Sequence, residues 1–499
     1  MCSLCTITVT SIPGKSMKNF FLSLAVLIAL LLSLTIGASF FLKNTVEDTT
    51  KEAILSMAGP GETAIEDVRF SPLTREITIT GWRTRHQTLE GPMSAHALTV
   101  HGTVTFRGIL ACMPVLGSLF NNADTYVPVL DKLRASNLLW TSADRRCSLS
   151  ELELTVVRLR YNLLQQYLAG LRPPFAQSVT GIRVDEVEAV DCLLTQRAPL
   201  ATTTIRAREA DLRNVLGTCA DRAVLRDVTV LENGQNTLDC RELTLEEIRV
   251  SPALLSELVA QTSPRLRSNK ANSHLAEALL ANGPLVSKAT LRDVTDAQTP
   301  PSLTMEQCEL LWTDNPPLSI ETHVRGLSIA SRELQAYLPV NWQGMETVQV
   351  EADLASSGAE NNQQSGLVRL KNLGELSYSF IWHPTRTTLQ DLTMTWRDYG
   401  FTVRLARTIT PDAHAASMLL KTMSASLCRA DAEKDREQCR RLGNFIDAPG
   451  TLTLRTAKGT PVSILEFLTL SGRFGSLFQV EVRPGSATLT QQSEELFSR

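Results

Sequence analysis

"AVLRDVTVLENGQNTLDCRELTLEEIRV", residues 223–250, decides the fold class. Two alternating apolar runs flank Asn233-Gly234, a dipeptide that tolerates the positive φ of a two-residue hairpin turn. The stretch therefore reads as an antiparallel β-hairpin. Its first limb comes back later: "AVLRDVT" at 223–229 returns as "ATLRDVT" at 289–295, 66 positions on. Each copy leads through a polar turn into a cysteine-containing strand, "TLDCREL" and then "LTMEQCEL". Other stretches alternate in the same way, including "REITITGW", "GTLTLRT" and "LFQVEV". In "HALTVHGTVTFR", 96–107, the period of two puts Leu98, Val100, Val104 and Phe106 with His96 on one face and the threonines on the other. That face is expected to be the apolar side of a half-wet sheet and to line a groove.

A second phrase recurs, in which a strand stops and a helix starts. It stands at "EIRVSPALLSELV" (247–259), "VVRLRYNLLQQYL" (156–168) and "GLSIASRELQAYL" (326–338). In the first, Ser251 suits an N-cap and Pro252 the first helical turn, and Leu254, Leu255, Leu258 and Val259 form one apolar stripe. Leu163, Leu164, Tyr167 and Leu168 match that stripe, as do Leu334, Tyr337 and Leu338. The spacing of the copies is irregular, so the repeats are degenerate. The expectation is a mainly β protein with short helices, an elongated, twisted antiparallel sheet in which each short helix packs back on its strands.

Composition sets limits on function. The chain has 499 residues, 43% hydrophobic and 20% charged, with a net charge of −3 and no long basic run. This is more than one compact core usually holds. The charge balance gives no electrostatic footprint for nucleic acid. Phe20 to Leu42 is a run of 23 residues without a charge, and about 20 suffice to cross a bilayer. Lys15 and Lys18 precede it and no acid occurs before Glu47, so the N-terminus is expected in the cytoplasm and the body outside it. A cleaved signal peptide is the alternative, since "TIGASFF" offers small residues after the apolar run. "MKNFF" at Met17 is the more natural export start, so residues 1–16 need not be translated.

Eight cysteines follow the apolar run: Cys112, Cys147, Cys192, Cys219, Cys240, Cys308, Cys428 and Cys439. An even number fits an oxidising compartment, as structural disulfides or as buried thiols. None of these eight forms a CxxC pair, and none stands at zinc-ligand spacing with another Cys or His. Cys428 and Cys439 are 11 residues apart, which in one unbroken helix is about 16 Å. A disulfide needs Cα atoms within about 7 Å. Either the pair is bonded across a helical hairpin, or the helix is continuous and the thiols are free.

Taken together, the membrane-length run, "IEDVRFSPLTREITITGW" after it and the repeated strand pairs with short helices resemble the AsmA-like periplasmic proteins of Gram-negative envelopes. The resemblance implies a long twisted sheet with an apolar groove, and phospholipid movement or outer-membrane assembly. It places residues 1–19 in the cytoplasm, 20–42 in the inner membrane as a single-pass anchor, and the remainder in the periplasm. That remainder is expected as a β-rich repeat region over 44–345 and a β-rich C-terminal region over 346–499, with a charged helical segment near 411–443. Phospholipid or envelope assembly proteins are the implied partners, and nucleic acid is not. The N component of type II secretion resembles a short relative of this family, so a secretion-system subunit or a scaffold is the alternative.

Catalytic signatures are absent from the sequence: it holds no GxSxG, HExxH, GxGxxG after a strand or GxxxxGK[ST]. His86, His96 and His101 read as polar strand positions, and "DAEKDREQ" (431–438) as a solvated helix face. The reading expects no catalytic residue, cofactor or metal, with an envelope hydrolase as the weaker rival.

Overall fold

The computed structural model describes residues 62–88, 91–112, 114–142, 145–169, 181–197, 201–249, 286–313, 319–335, 340–358, 362–383, 388–426, 433–456, 461–463 and 477–497, with single positions between them. The apolar run 20–42, the segment 250–259 and Cys428 lie outside the described residues. Among the described residues no helix is long and apolar enough to cross a membrane.

The chain is mainly β, as the alternation requires. The strands are β1 (Glu62–Ala64), β2 (Asp67–Ser71), β3 (Glu76–Thr88), β4 (Gly91–Val104), β5 (Tyr126–Thr141), β6 (Arg145–Arg160), β7 (Ile182–Arg197), β8 (Thr202–Leu216), β9 (Cys219–Glu232) and β10 (Gln235–Arg249). There follow β11 (Lys288–Asp296), β12 (Leu303–Thr313), β13 (Ser319–Ala330), β14 (Thr347–Ser357), β15 (Asn362–Leu370), β16 (Gly374–His383), β17 (Thr388–Asp398), β18 (Thr451–Thr456), β19 (Val462–Ser463) and β20 (Phe478–Arg483). Pairing assigns them to one antiparallel sheet of 20 strands in which most neighbours in sequence are neighbours in space. By contact the chain divides into two units, 1–141 with 151–183, and 142–150 with 184–499.

Strands β9 and β10 form the hairpin that the sequence dictates. Glu232 pairs with Gln235, and Asn233 (φ 52°) and Gly234 (φ 82°) turn between them. Within the strands, the repeated "LRDVT" has a conformational meaning. Asp227 and Asp293 both sit at φ 50° in mid-strand. Cys240 pairs with Val228 on one side and Val294 on the other, Glu242 with Arg226 and Arg292, and the pairing skips Arg241 with both aspartates. A left-handed residue in a strand interrupts the two-residue period, as a bulge does. Leu225 and Val228, three apart, therefore pack in one cluster, as do Leu291 and Val294. Gly81, Asn137, Asp191, Asn214, Gly326 and Asp391 hold the same conformation in other strands. Gly, Asn and Asp tolerate it best.

This reset corrects the reading of 96–107. Opposite Gly81 the pairing goes from Thr80–Thr99 to Trp82–Ala97, skipping Leu98. Ala97 is 2% exposed and Leu98 59%. Val100 lies between Ile79 and Ala135, whereas Val104 ends β4 after a register shift. Phe106 opens a helix, α1 (Phe106–Cys112), and is 64% exposed. The four residues do not share one face.

Short helices follow: α2 (Pro114–Phe120), α3 (Tyr161–Leu168), α4 (Ser331–Leu334), α5 (Phe401–Ile409), α6 (Ala413–Ser426), α7 (Glu433–Asp447) and α8 (Leu489–Phe497). In the copy at 156–168, β6 runs straight into α3, and Tyr161, Leu163 and Leu164 are buried. Tyr161 and Leu164 pack with Ala111 and Val127. The first amides of α3 are satisfied by distant carbonyls, Tyr161 N donating to Thr125 O and Asn162 N to Ala123 O, in place of a side-chain cap. In the copy at 326–338 the helix is a single turn, Leu334 packs on the Trp342 cluster, and Tyr337 is exposed, so the expected stripe is not formed there.

The C-terminal edge is closed by side chains. Strand β20 pairs with β18, and its Val480 turns its amide and carbonyl to α7, where Gln438 Oε1 accepts from Val480 N (2.6 Å) and Arg441 Nη1 donates to Val480 O (2.9 Å). Covering an edge removes a template for intermolecular pairing. Gln438→Ala leaves a buried amide unpaired, and urea unfolding is expected to show a loss of about 1–3 kcal/mol, with concentration-dependent association in sedimentation. Asp227→Val places a β-branched side chain at φ 50° and is expected to cost about 1–2 kcal/mol. Asp227→Asn is expected to stay within about 0.5 kcal/mol in the same assay.

Candidate apolar ligand site

Register aligns the apolar positions of the second unit into rows. One row crosses twelve strands from β8 to β20: Ala210, Leu225, Leu243, Leu291, Cys308, Val324, Ala352, Val368, Leu376, Trp396, Leu452 and Val482. It contains no charged side chain. Apart from the two alanines, its members are only half-buried, so they do not form a sealed core. A second row, Ala207, Val228, Cys240, Val294 and Met305, runs beside it and is better buried.

Charged rows alternate with the apolar ones. Glu209, Arg226, Glu242 and Arg292 are directly opposed in turn, with ion pairs of 3.3 Å at Arg226–Glu209 and Arg292–Glu242. Glu351, Arg369, Glu375 and Arg397 repeat the pattern at 3.7, 3.2 and 3.2 Å. Such exposed pairs are individually worth little, but opposed signs hold the register. Beyond them, His323 Nδ1 lies 2.8 Å from Asp353 Oδ1, which also takes Arg325. These partners hold the Asp353 carboxyl below the usual aspartate range. A cleft of about 830 Å3 opens among these charges, lined by Glu306, Arg325, Glu351, Arg369 and Glu375 with others. Its arginines are each paired with a carboxylate. His101, at the other histidine cluster of the sequence, shares its Nδ1 with Thr78 Oγ1, and His96 faces Arg83 across the pair of strands.

The cysteines act as small hydrophobes. Cys112, Cys147, Cys192, Cys219, Cys240 and Cys308 are free thiols, so a disulfide among these six is not formed. Burial pushes the thiols of Cys147, Cys192, Cys240 and Cys308 up, which keeps them neutral. No cluster of three or more potential metal ligands occurs among the described residues. The segment 411–443 holds α6 and α7 as an antiparallel hairpin. Asp447 Oδ1 accepts from Ser417 Oγ (3.3 Å) and pairs with Lys421, and Cys439 Sγ lies 3.6 Å from Ser424 O. Helices α6 and α7 are thus not one continuous helix, and Cys428 lies outside the described residues.

Helices α5, α6 and α7 cover part of the apolar face and border an open pocket of about 600 Å3. Leu370 and Trp396 form its floor on the sheet side; Phe401, Thr402 and Leu405 come from α5, Leu420, Met423 and Ser424 from α6, and Leu442, Phe445 and Ile446 from α7. Trp396 meets Phe401 edge to face at 5.5 Å and donates Nε1 to Asp398 Oδ2 at 3.0 Å. Gly374 makes the room: a Cβ there would stand 2.3 Å from the Trp396 ring and 2.7 Å from Arg397 O. Neither the helical lid nor its cavity is visible in the local pattern, because its walls come from segments about 75 residues apart.

No family model, curated protein or solved structure matches this chain.

Gly374→Ala is expected to displace the Trp396 indole, costing about 1–3 kcal/mol and shifting the tryptophan emission. An unchanged spectrum with unchanged stability contradicts this packing.

Proposed function

We propose that the protein holds lipid on the apolar face of its sheet, as an inner-membrane-anchored component of a bacterial envelope. The single observation that carries this reading is the twelve-strand row that stays half-buried yet contains no charge. A contiguous apolar strip that is neither sealed in a core nor broken by charge is read as an interaction surface. The AsmA-like sequence pattern supports a phospholipid as the ligand and a role in lipid movement or outer-membrane assembly. In this reading residues 20–42 form a single-pass anchor with the N-terminus in the cytoplasm and the body in the periplasm. The helical hairpin of α6 and α7 is held there by a Cys428–Cys439 disulfide. The protein acts by binding and not by catalysis.

Native mass spectrometry of the full chain extracted in mild detergent is expected to show bound phospholipid. Leu243 stands between Leu225 and Leu291 in the row. In a sealed core Leu243→Asp would bury an unpaired charge and cost several kcal/mol, enough to unfold a marginal domain. On an open face the carboxylate reaches water, so the variant is expected to fold, be exported and carry less lipid. A variant that aggregates, or a wild type that never carries lipid, overturns the reading.

A further inference from the structure

We infer that the cavity beneath α5, α6 and α7 is a tail-only subsite, which takes the end of one acyl chain and leaves the head group outside; the inference rests on the lipid-binding reading above. The chemistry of the lining leaves hydrocarbon as its ligand. No lining side chain is charged, and the polar ones, Thr402 and Ser424, are already committed. Thr402 Oγ1 donates to Asp398 Oδ2 and Ser424 Oγ to Lys421 O. The Trp396 N–H is likewise spent on Asp398. A ligand with its own donors or acceptors would lose its hydrogen bonds to water and gain none, which costs free energy. A methylene chain loses nothing and gains contact.

Size and position agree with that ligand. About 600 Å3 falls within the range of pockets that enclose small organic ligands. Trp396 belongs both to the apolar row and to the cavity wall, so a chain lying on the open face meets the cavity without crossing a polar barrier. At the lid, Met423 lines the cavity while 61% exposed, beside Met418 at 60% and Leu419 at 47% on α6. Unbranched thioether side chains adapt to chains of different length and saturation.

The test uses the full chain carrying a photoreactive phenylalanine analogue in place of Met423 or, separately, of Leu243, irradiated with vesicles of phosphatidylethanolamine and phosphatidylglycerol. Mass spectrometry is expected to find lipid adducts on acyl carbons at both positions. Leu405→Trp, which fills the cavity, is expected to lower the adduct at 423 about tenfold while leaving that at 243, which also reports that the variant folds. An adduct at 243 with none at 423 overturns the subsite and leaves the lipid reading standing. So does a crosslink from 423 to the chain's own apolar stretch 464–470 in place of lipid. Adducts at neither position remove the lipid reading itself.

Discussion

A strand of 14 to 16 residues, as β4 to β10 mostly are, must keep its apolar side chains on one face of a sheet that twists. A residue in the left-handed conformation in mid-strand breaks strict alternation. In β9 and β11 such a residue stands in mid-strand, and past it the inward positions restart on the other parity. Leu225 with Val228, and Leu291 with Val294, are the visible result. The apolar rows exist because neighbouring strands make this reset at matching positions: Asp227 and Asp293 flank the same Arg241 of β10. The ion pairs around the resets, Arg208–Asp227 and Arg241–Asp293, are exposed and contribute little by themselves.

A sheet with a half-buried apolar row and an end strand carries two liabilities, that face and that edge. The edge at β20 is sealed by Gln438 and Arg441 from α7. The same helix turns its other residues, Leu442, Phe445 and Ile446, to the cavity. One element thus protects the strand end and builds the lid over Trp396. The face beyond the lid is left half-buried, and that is the feature that gives a binding role its physical basis.

Much of this was legible locally. Asn233-Gly234 specified its turn, since few residue pairs accept positive φ at both positions. The repeat of "LRDVT" also carried real information, although its meaning, an aspartate at φ 50° in each copy, needed coordinates. The face assigned to Leu98, Val100, Val104 and Phe106 failed because alternation was extrapolated through the reset opposite Gly81 and past the start of α1. The His323–Asp353 pair joins different strands and left no trace in either segment.

The sequence by itself determined the β class, the hairpin turn at Asn233-Gly234 and the starts of α3 and α4, because these follow from periodicity of two, turn chemistry and contacts within a few residues. Tertiary structure decided which parity of each strand became the apolar side, that α6 and α7 fold back on each other, and that Trp396, Phe401, Met423 and Phe445 surround one cavity. Those outcomes depend on side chains brought together across strands and helices far apart in the chain. A register or a cavity wall is a property of the pair that meets, and neither member encodes it alone.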